Sequence, residues 1–169
     1  MKDFSEWKLN RKIFLKIASC FGWPEIDLFA SRVSHQLPVY ISWKQDPYSH
    51  SQDAFQSKWK YKLSYAFPPF CLIRRVLEKA QRDQSCLILI TPGWQAQPWF
   101  PRLLQMSVGC PILLPRFSKL LTNPLRNPHP LTENNTLRLV AWLVSGKTWR
   151  QKEFQRQPQT LSQVQEDQA

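Results

Sequence analysis

Glycine is scarce in this sequence, and its scarcity excludes one class of nucleotide site. Only four of the 169 residues are glycine, and neither GxGxxG nor GxxxxGK(S/T) occurs. Loops that cradle phosphates need glycine where the backbone approaches the phosphate closely, so we exclude a Gly-rich phosphate loop. Proline occurs 14 times, which predicts that many connections between elements are stiff turns.

The sequence also lacks long apolar runs and paired cysteines. Because there is no secretory signal and no run of 18 apolar residues, we expect neither secretion nor a membrane span. The four cysteines are widely spaced and form no C-x-x-C pair: Cys20, Cys71, Cys86 and Cys110. They predict buried free thiols in a reducing compartment rather than a disulfide framework or a zinc site. We therefore expect an intracellular protein of the nucleus or cytoplasm, without a metal centre.

Acidic residues are few compared with basic ones. The chain has 12 Asp and Glu against 23 Lys and Arg, which gives a net charge of +11. This balance favours a polyanionic partner, with nucleic acid first and an anionic membrane surface second. In the alternative interpretation, the excess charge only keeps a tryptophan-rich domain in solution.

Short apolar segments alternate with helical patterns along most of the chain. Cys86–Ile90 is a continuous apolar run, which is typical of a strand buried on both faces. Further strands are predicted at residues 25–29, 39–41, 64–66, 111–114 and 136–145. Helices are predicted from a Ser5 cap to Gly22, and at residues 69–80 and 98–106. Such alternation predicts an α/β fold with a mostly parallel sheet.

The remaining segments are polar and predict loops or disorder. Residues 44–62 are expected to form a long loop with at most one turn of helix, and residues 115–135 an irregular stretch. Beyond Gly146 the chain is rich in glutamine and predicts a disordered tail. The expected organisation is one α/β domain at residues 1–146 followed by a tail at residues 147–169.

A Pro-Pro-aromatic turn follows the strand predicted at residues 64–66. Pro68 and Pro69 cannot donate to a sheet ladder, so the strand must end before the next helix begins. In an open α/β sheet, ligands bind in the crevice outside the carboxyl ends of the strands, where this turn is expected. Phe70 can stack on a base there. The alternative is that Phe67 and Phe70 pack in the core.

Acidic, aromatic and basic side chains supply the other candidate contacts. Asp27, near the end of a strand, can accept hydrogen bonds from ribose hydroxyls or an amino group. Asp53, in the long loop, can hold an adenine edge. Each can instead cap a turn or a helix. The candidate nucleic-acid contacts are Trp94, Trp99, Lys58, Lys60, Arg74 and Arg75. For the two tryptophans, the alternative is a place in the core.

The order of these segments resembles that of phage-type, Dam-like DNA adenine methyltransferases. Those enzymes have a strand-end Asp-x-x-Ala-Ser segment, an acidic residue before a tryptophan, a Pro-Pro-aromatic turn and a later Pro-to-Trp-Phe segment. The counterparts here are residues 27–31, 53–59, 67–70 and 92–100. The resemblance implies S-adenosylmethionine as cofactor, with Asp27, Ala30, Ser31 and Asp53 as its binding residues.

A still closer resemblance covers residues 6–146. This region is similar to the segment that follows reverse transcriptase and RNase H in polyproteins of DIRS-type tyrosine-recombinase retrotransposons. The strings that carry the resemblance are IDLFASR, QLPVYISW, DAF, YAFPPF, QPWFP and LVAWLVSG. It implies a three-layer, Rossmann-like methyltransferase fold and a nucleic-acid partner, DNA in preference to RNA.

The catalytic motif of that family is degenerate in this chain. Adenine methyltransferases place Asn or Asp before the Pro-Pro-aromatic turn, where its side-chain oxygen accepts a hydrogen bond from the exocyclic amine. Phe67 occupies that position and Pro68, Pro69 and Phe70 complete the motif. Losing a hydrogen bond made in the transition state costs on the order of 2–4 kcal/mol, or about a hundredfold in rate. We therefore expect a methyltransferase-like domain that binds nucleic acid and is catalytically weak or inactive.

Two alternative functions follow from the same resemblance. In the first, the chain is an active S-adenosylmethionine-dependent DNA adenine methyltransferase in which Ser64, Asp46 or Tyr65 replaces the missing acceptor. In the second, it is a fragment of the retroelement polyprotein with an RNase H-related role. That nuclease needs about four clustered carboxylates to hold two metal ions, and the acidic residues form no such pattern in the sequence.

Overall fold

The computed structural model describes residues 7–42, 46–123, 125, 127–133 and 137–157. The strands are β1 (Lys8–Leu9), β2 (Ile26–Ala30), β3 (Tyr40–Ser42), β4 (Ser64–Ala66), β5 (Cys86–Pro92), β6 (Ile112–Leu113), β7 (Leu121–Thr122) and β8 (Leu139–Ser145). The helices are α1 (Arg11–Phe21), α2 (Ile73–Asp83), α3 (Phe100–Met106), α4 (Pro130–Glu133) and α5 (Thr148–Gln155). Two 3-10 turns lie at Ala54–Gln56 and Phe70–Leu72.

Six strands form the central sheet in the order β3-β2-β4-β5-β8-β6. β3, β2, β4 and β5 are parallel neighbours, and β8 is antiparallel to both β5 and β6. β6 therefore runs in the same direction as β5, and β8 is reversed relative to the other five strands. The predicted α/β class and mostly parallel sheet are confirmed. β1 and β7 form a separate antiparallel pair.

The sheet is covered by helices on both faces because its central strand is apolar on both. Leu87 and Leu89 of β5 pack into a core cluster with residues of α2 and α3. Ile88 and Ile90 pack into a second cluster with residues of α1. Successive side chains of a strand point to opposite faces, so the continuous apolar run of β5 supplies both cores. The prediction of a strand buried on both faces is confirmed.

Helix α1 begins later than the sequence predicts. Asn10 caps it, because its Oδ1 accepts hydrogen bonds from the backbone N–H groups of Lys12 at 3.0 Å and Ile13 at 3.3 Å. Leu9, expected in the helix, instead pairs with Leu121 in the β1–β7 ladder. The Ser5 cap lies outside the described residues. The predicted end at Gly22 is confirmed: this residue has φ +113° and donates its N–H to the Ala18 carbonyl at 2.8 Å.

The chain also contains a helix where its composition predicts disorder. α5 spans Thr148–Gln155, so the prediction of a disordered tail from residue 147 is wrong over this segment. Gln151 is buried and donates through Nε2 to the Ser145 carbonyl at 2.6 Å and to Gln81 Oε1 at 3.2 Å. Polar contacts therefore hold this helix to β8 and α2. The rest of the predicted tail, residues 158–169, lies outside the described residues.

The cysteines are free, as predicted, but most of them are not buried. Cys20, Cys71 and Cys110 are exposed, and Cys86 is of intermediate exposure. The apolar segments that contain these residues predict burial, yet Cys20 lies on the solvent face of α1 and Cys71 in an exposed turn. The prediction of buried thiols is therefore wrong for these three residues.

The longest helices of the described chain, α1 and α2, have 11 residues each. Within the part of the chain that the structure describes, no helix has the length and apolar character needed to cross a bilayer.

Candidate functional site

The strand order changes direction beside β2, which defines a crevice at the carboxyl edge of the sheet. β3 follows β2 in the chain and lies on one side of it, whereas β4 comes next and lies on the other side. In open α/β sheets, ligands bind outside the carboxyl ends of the strands at such a switch point. Ser31 directly follows β2 and Phe67 directly follows β4, so two predicted segments meet at this edge.

The Pro-Pro-aromatic turn has the predicted strand-turn-helix form. Phe67 is only 6% exposed and packs in the core on the α1 face of the sheet. Pro69 has φ −51° and ψ 141°, and its carbonyl accepts the N–H of Leu72 at 2.9 Å. The chain continues through the 3-10 turn at Phe70–Leu72 directly into α2. Phe67 therefore follows the core alternative, while Phe70 stands at the edge of the sheet and is half-buried.

Phe70 and Trp94 form an aromatic pair at the carboxyl ends of adjacent parallel strands. Their ring centroids are 5.1 Å apart and the rings are nearly perpendicular, at 82°. Phe70 follows β4 and Trp94 follows β5, and Trp94 is 40% exposed. The structure thus brings together two residues that the sequence predicts separately as nucleic-acid contacts. An exposed aromatic surface of this kind accepts bases with little dependence on their sequence.

Three arginines follow strands or turns at the carboxyl edge of the sheet. Arg74 and Arg75 lie in the first turn of α2, and both are exposed. The Arg75 guanidinium lies 4.1 Å from the centroid of the Phe55 ring, while Arg74 Nε lies 3.0 Å from Glu78 Oε1. Arg32, which follows β2, lies over the Tyr48 ring at 4.4 Å. These contacts leave positive charge at the carboxyl edge of the sheet, where phosphate groups can be neutralised.

Lys58 and Lys60 lie at the other end of α2. The backbone N–H of Trp59, between them, donates to Asp83 Oδ2 at 2.9 Å. Asp83 is the last residue of this 11-residue helix, which is about 16 Å long at 1.5 Å per residue. The two lysines therefore lie beside the end of α2, whereas Arg74 and Arg75 lie in its first turn.

Asp27 is buried inside the sheet rather than presented at its edge. It is the second residue of β2, not the last, and is 1% exposed. Its Oδ2 accepts the backbone N–H of Gln36 at 2.9 Å, and its Oδ1 accepts that of Phe29 at 3.4 Å. Burial raises the pKa of the Asp27 carboxyl to about 7, against the lowering effect of these two hydrogen bonds and of Lys8. Both carboxylate oxygens thus have partners within the protein.

Gln36 links Asp27 to the start of the chain, and no pattern in the sequence indicates this role. Its side-chain Nε2 donates to the Leu9 carbonyl at 2.7 Å, and its Oε1 accepts from Arg11 Nη1 at 3.1 Å. Gln36 is buried. Asp27 therefore fixes the loop after β2 against β1 and α1.

The other predicted cofactor residues are also engaged within the protein. Asp53 Oδ1 accepts the N–H of Phe55 at 2.9 Å and caps the 3-10 turn at Ala54–Gln56, as in the capping alternative. Ser31 is buried, and its hydroxyl lies 3.0 Å from that of Ser34. Ala30 is 1% exposed. Like Asp27, Ser31 and Asp53 therefore make hydrogen bonds within the protein.

Trp99 is also a core residue. It is 8% exposed and belongs to the cluster beneath α2 and α3. Of the two predicted tryptophan platforms, only Trp94 is presented to solvent.

Of the three substitutes considered for the missing acceptor, two are buried and the third is hydrogen-bonded within the protein. Ser64 and Tyr65 are buried within β4. Asp46 accepts a hydrogen bond from the Tyr40 hydroxyl at 2.5 Å. Among the described residues, no group of three or more His, Cys, Asp or Glu side chains is arranged to hold a metal ion.

Comparison with known proteins adds no further constraint on the site. No family model, no curated protein and no solved structure matches this chain. The geometry at the carboxyl edge of the sheet is therefore the basis for a functional assignment.

Proposed function

We propose that this chain is a retrotransposon-derived, methyltransferase-like domain that binds single-stranded nucleic acid and has little or no methyl-transfer activity. The observation that carries the proposal is the Phe70–Trp94 pair at the ends of β4 and β5. Arg74 and Arg75 follow in the next turn of helix. Stacking surface and cationic groups therefore lie at the same edge of the sheet.

These residues suit a flexible strand with unpaired bases. Stacking of one base on an aromatic side chain is worth roughly 1–3 kcal/mol and requires that the base be unstacked from its own neighbours. Guanidinium groups pair with phosphate oxygens in a bidentate geometry. The net charge of +11 supplies long-range attraction to any polyanion. Single-stranded DNA is thus the partner that uses both features.

The sheet supports the proposed relationship to methyltransferases. It is parallel except for β8, and its switch point lies between β3 and β4 on either side of β2. This arrangement is compatible with the Rossmann-like fold that the sequence resemblance implies. The Pro-Pro-aromatic turn lies at the carboxyl edge, as the resemblance requires.

The side chains around the turn argue against efficient methyl transfer. Phe67 is apolar and buried where the adenine methyltransferases that the chain resembles have an acceptor. Asp27, Ser31 and Asp53 all have hydrogen-bond partners within the protein. None of these described residues is placed to position an exocyclic amine, and we expect the domain to bind S-adenosylmethionine weakly or not at all.

Trp94→Ala tests the aromatic site. We expect the variant to bind a fluorescein-labelled oligodeoxynucleotide about 5- to 150-fold more weakly in fluorescence anisotropy, because one stacked base is worth roughly 1–3 kcal/mol. Trp149→Ala is the matched control, since Trp149 is 63% exposed but lies on α5. Equal affinities of the two variants would contradict the proposal.

Thiol alkylation locates the bound strand independently of affinity. Cys71 is exposed and adjoins Phe70, whereas Cys20 and Cys110 are exposed elsewhere. A bound oligonucleotide should slow alkylation of Cys71 and leave the other two unchanged. Protection of all three thiols would indicate nonspecific coating instead.

Calorimetric titration distinguishes the alternative enzyme. We expect no saturable heat with S-adenosylmethionine or S-adenosylhomocysteine at millimolar concentration. Saturable heat would favour the active adenine methyltransferase, and a methyl-transfer assay on DNA would follow. Magnesium-dependent cleavage of an RNA–DNA hybrid would favour the RNase H-related alternative.

A further inference from the structure

A second concave surface lies over β8 and β6, on the far side of β5 from the switch point. It is a cleft of about 830 Å³ between this part of the sheet, α3 and α5. Small-molecule sites are typically clefts of roughly 300–1,000 Å³ with mostly apolar walls and a few polar groups. Neither Phe70 nor Trp94 lines the cleft, but Gly93 and Gln95, on either side of Trp94, do, so the cleft begins beside the turn after β5.

The floor and walls of the cleft are apolar. Val140 and Trp142 of β8 face it, since alternate residues of a strand share a face, and Leu113 of β6 pairs with Val140. The walls are formed by Phe100 and Leu104 of α3 and by Phe154 of α5. Trp142 Nε1 already donates to Thr91 Oγ1 at 2.9 Å, so its ring offers the cleft an apolar surface.

The cleft is open because the elements around it are short. α3 has seven residues and β6 has two, so this face of the sheet is not fully covered. Leu104 is consequently 51% exposed although it is apolar. Gln155 Nε2 donates to the Gln105 carbonyl at 3.3 Å and joins α5 to α3 along one wall.

Two arginines lie at one end of the cleft, and Arg116 is the one to which we assign the head group. Arg116 and Arg138 both line the cleft. They lie at the same end, because the pairing of β6 with β8 continues with the Leu114 N–H bonded to the Leu139 carbonyl at 2.9 Å. None of the described residues that line the cleft is Asp or Glu. A ligand with an apolar body and an anionic head matches this distribution.

We propose that the cleft binds an amphipathic carboxylate, a medium-chain fatty acid anion in its simplest form. The hydrocarbon chain lies on Val140 and Trp142 between the two helices. The carboxylate lies at the Arg116 end, where a guanidinium supplies charge-assisted hydrogen bonds. This site is additional to the nucleic-acid function and does not depend on it.

Calorimetry with decanoate and the equally long cation decylammonium tests the proposal. Decanoate should bind at least about tenfold more tightly, which is the size expected for one charge-assisted hydrogen bond. Arg116→Glu should reverse this preference. Equal binding of both probes to the wild type, or an unchanged preference in the variant, would overturn the assignment of the head group.

Filling the cleft tests its location. Leu104→Trp should weaken decanoate binding about tenfold or more, whereas Leu125→Trp should not, since Leu125 is 80% exposed and does not line the cleft. Circular dichroism establishes that both variants fold.

Bound decanoate should also slow alkylation of Cys110, which lines the cleft, but not of Cys20. Equal effects of the two substitutions, or equal protection of the two thiols, would overturn the site.

Discussion

A buried carboxylate at the centre of the molecule makes Asp27 the residue with the clearest dependence on pH. Its two backbone hydrogen bonds favour the charged form, but complete burial outweighs them and raises its pKa to about 7. The folded protein therefore holds this proton more strongly than the unfolded chain, in which the pKa is 3.8. The stabilisation from proton binding is fully present below the unfolded pKa and is lost as the pH rises through about 7.

Asp27→Asn isolates this effect, because asparagine keeps an acceptor for the Gln36 N–H but carries no charge. We expect its free energy of unfolding, relative to wild type, to rise by about 1.4 kcal/mol per pH unit between pH 4 and 7. Above pH 7 the difference should level off. Urea unfolding of both proteins at several pH values measures it, and a difference that does not change with pH would show that Asp27 does not titrate there.

At the scale of elements, the residue after β8 packs closely against the backbone of the last turn of α2. A Cβ added to Gly146 would lie 2.0 Å from the Ala80 carbonyl oxygen and 2.8 Å from its carbon. Gly146 also donates its N–H to the Ser85 carbonyl at 2.8 Å. Only glycine allows these two backbones to pack so closely.

Gly146→Ala should therefore destabilise the fold by about 3 kcal/mol, the upper part of the range for overpacking. Gly93→Ala is the matched control, because its Cβ would meet its nearest neighbours at 3.6 Å, an ordinary contact. Thermal or urea unfolding compares the two. If Gly146→Ala lost no more stability than Gly93→Ala, helix α2 would be able to move away from residue 146 at no cost in free energy.

The sequence predicts best the helices and strands whose buried faces leave a clear pattern of apolar residues. β5 and β8 are apolar along nearly their whole length, and both are predicted as strands. α5 is not predicted because only Gln151 is buried in it, so it has no apolar stripe to detect. The predicted start of α1 is wrong because Leu9 continues its apolar periodicity while pairing in β1. Long-range pairing of this kind is not visible in local sequence.

In the candidate site too, the sequence indicates where some side chains lie but does not indicate which partners others bind. The rule that ligands bind at the carboxyl edge of the sheet leads to Phe70, and the fold brings Trp94 beside it from the adjacent strand. Asp27 and Asp53 are predicted to contact a ligand because carboxylates near strand ends and in loops are expected to have no hydrogen-bond partner within the protein. Their actual partners are backbone N–H groups, which nearly every residue of the loops offers and no sequence pattern identifies.

On the scale of the whole molecule, the placement of positive charge matters more than its total. Arg32, Arg74 and Arg75 lie near the carboxyl edge of the sheet, whereas Lys58 and Lys60 lie beside the other end of α2. A strand bound at the carboxyl edge should contact the first group and not the second. The salt dependence of binding reports the number of phosphates that are neutralised.

The double variant Arg74→Gln/Arg75→Gln should lower the slope of log affinity against log salt concentration by about 1.4, or about 0.7 for each phosphate that is no longer neutralised. Lys60→Gln, which removes one exposed charge at the opposite end of α2, should leave the slope unchanged. Anisotropy titrations with single-stranded DNA over a range of salt concentrations measure both. Equal changes in slope for each charge removed would indicate that the basic surface acts only through net charge.

The reversed strand β8 also has a consequence for synthesis of the chain. It is inserted between β5 and β6, although it follows both in sequence. Until residue 145 has left the ribosome, β5 and β6 each have an unpaired edge, and β5 is apolar on both faces. Exposed edges of this kind pair readily with other chains. The nascent protein is therefore most prone to aggregation just before β8 emerges.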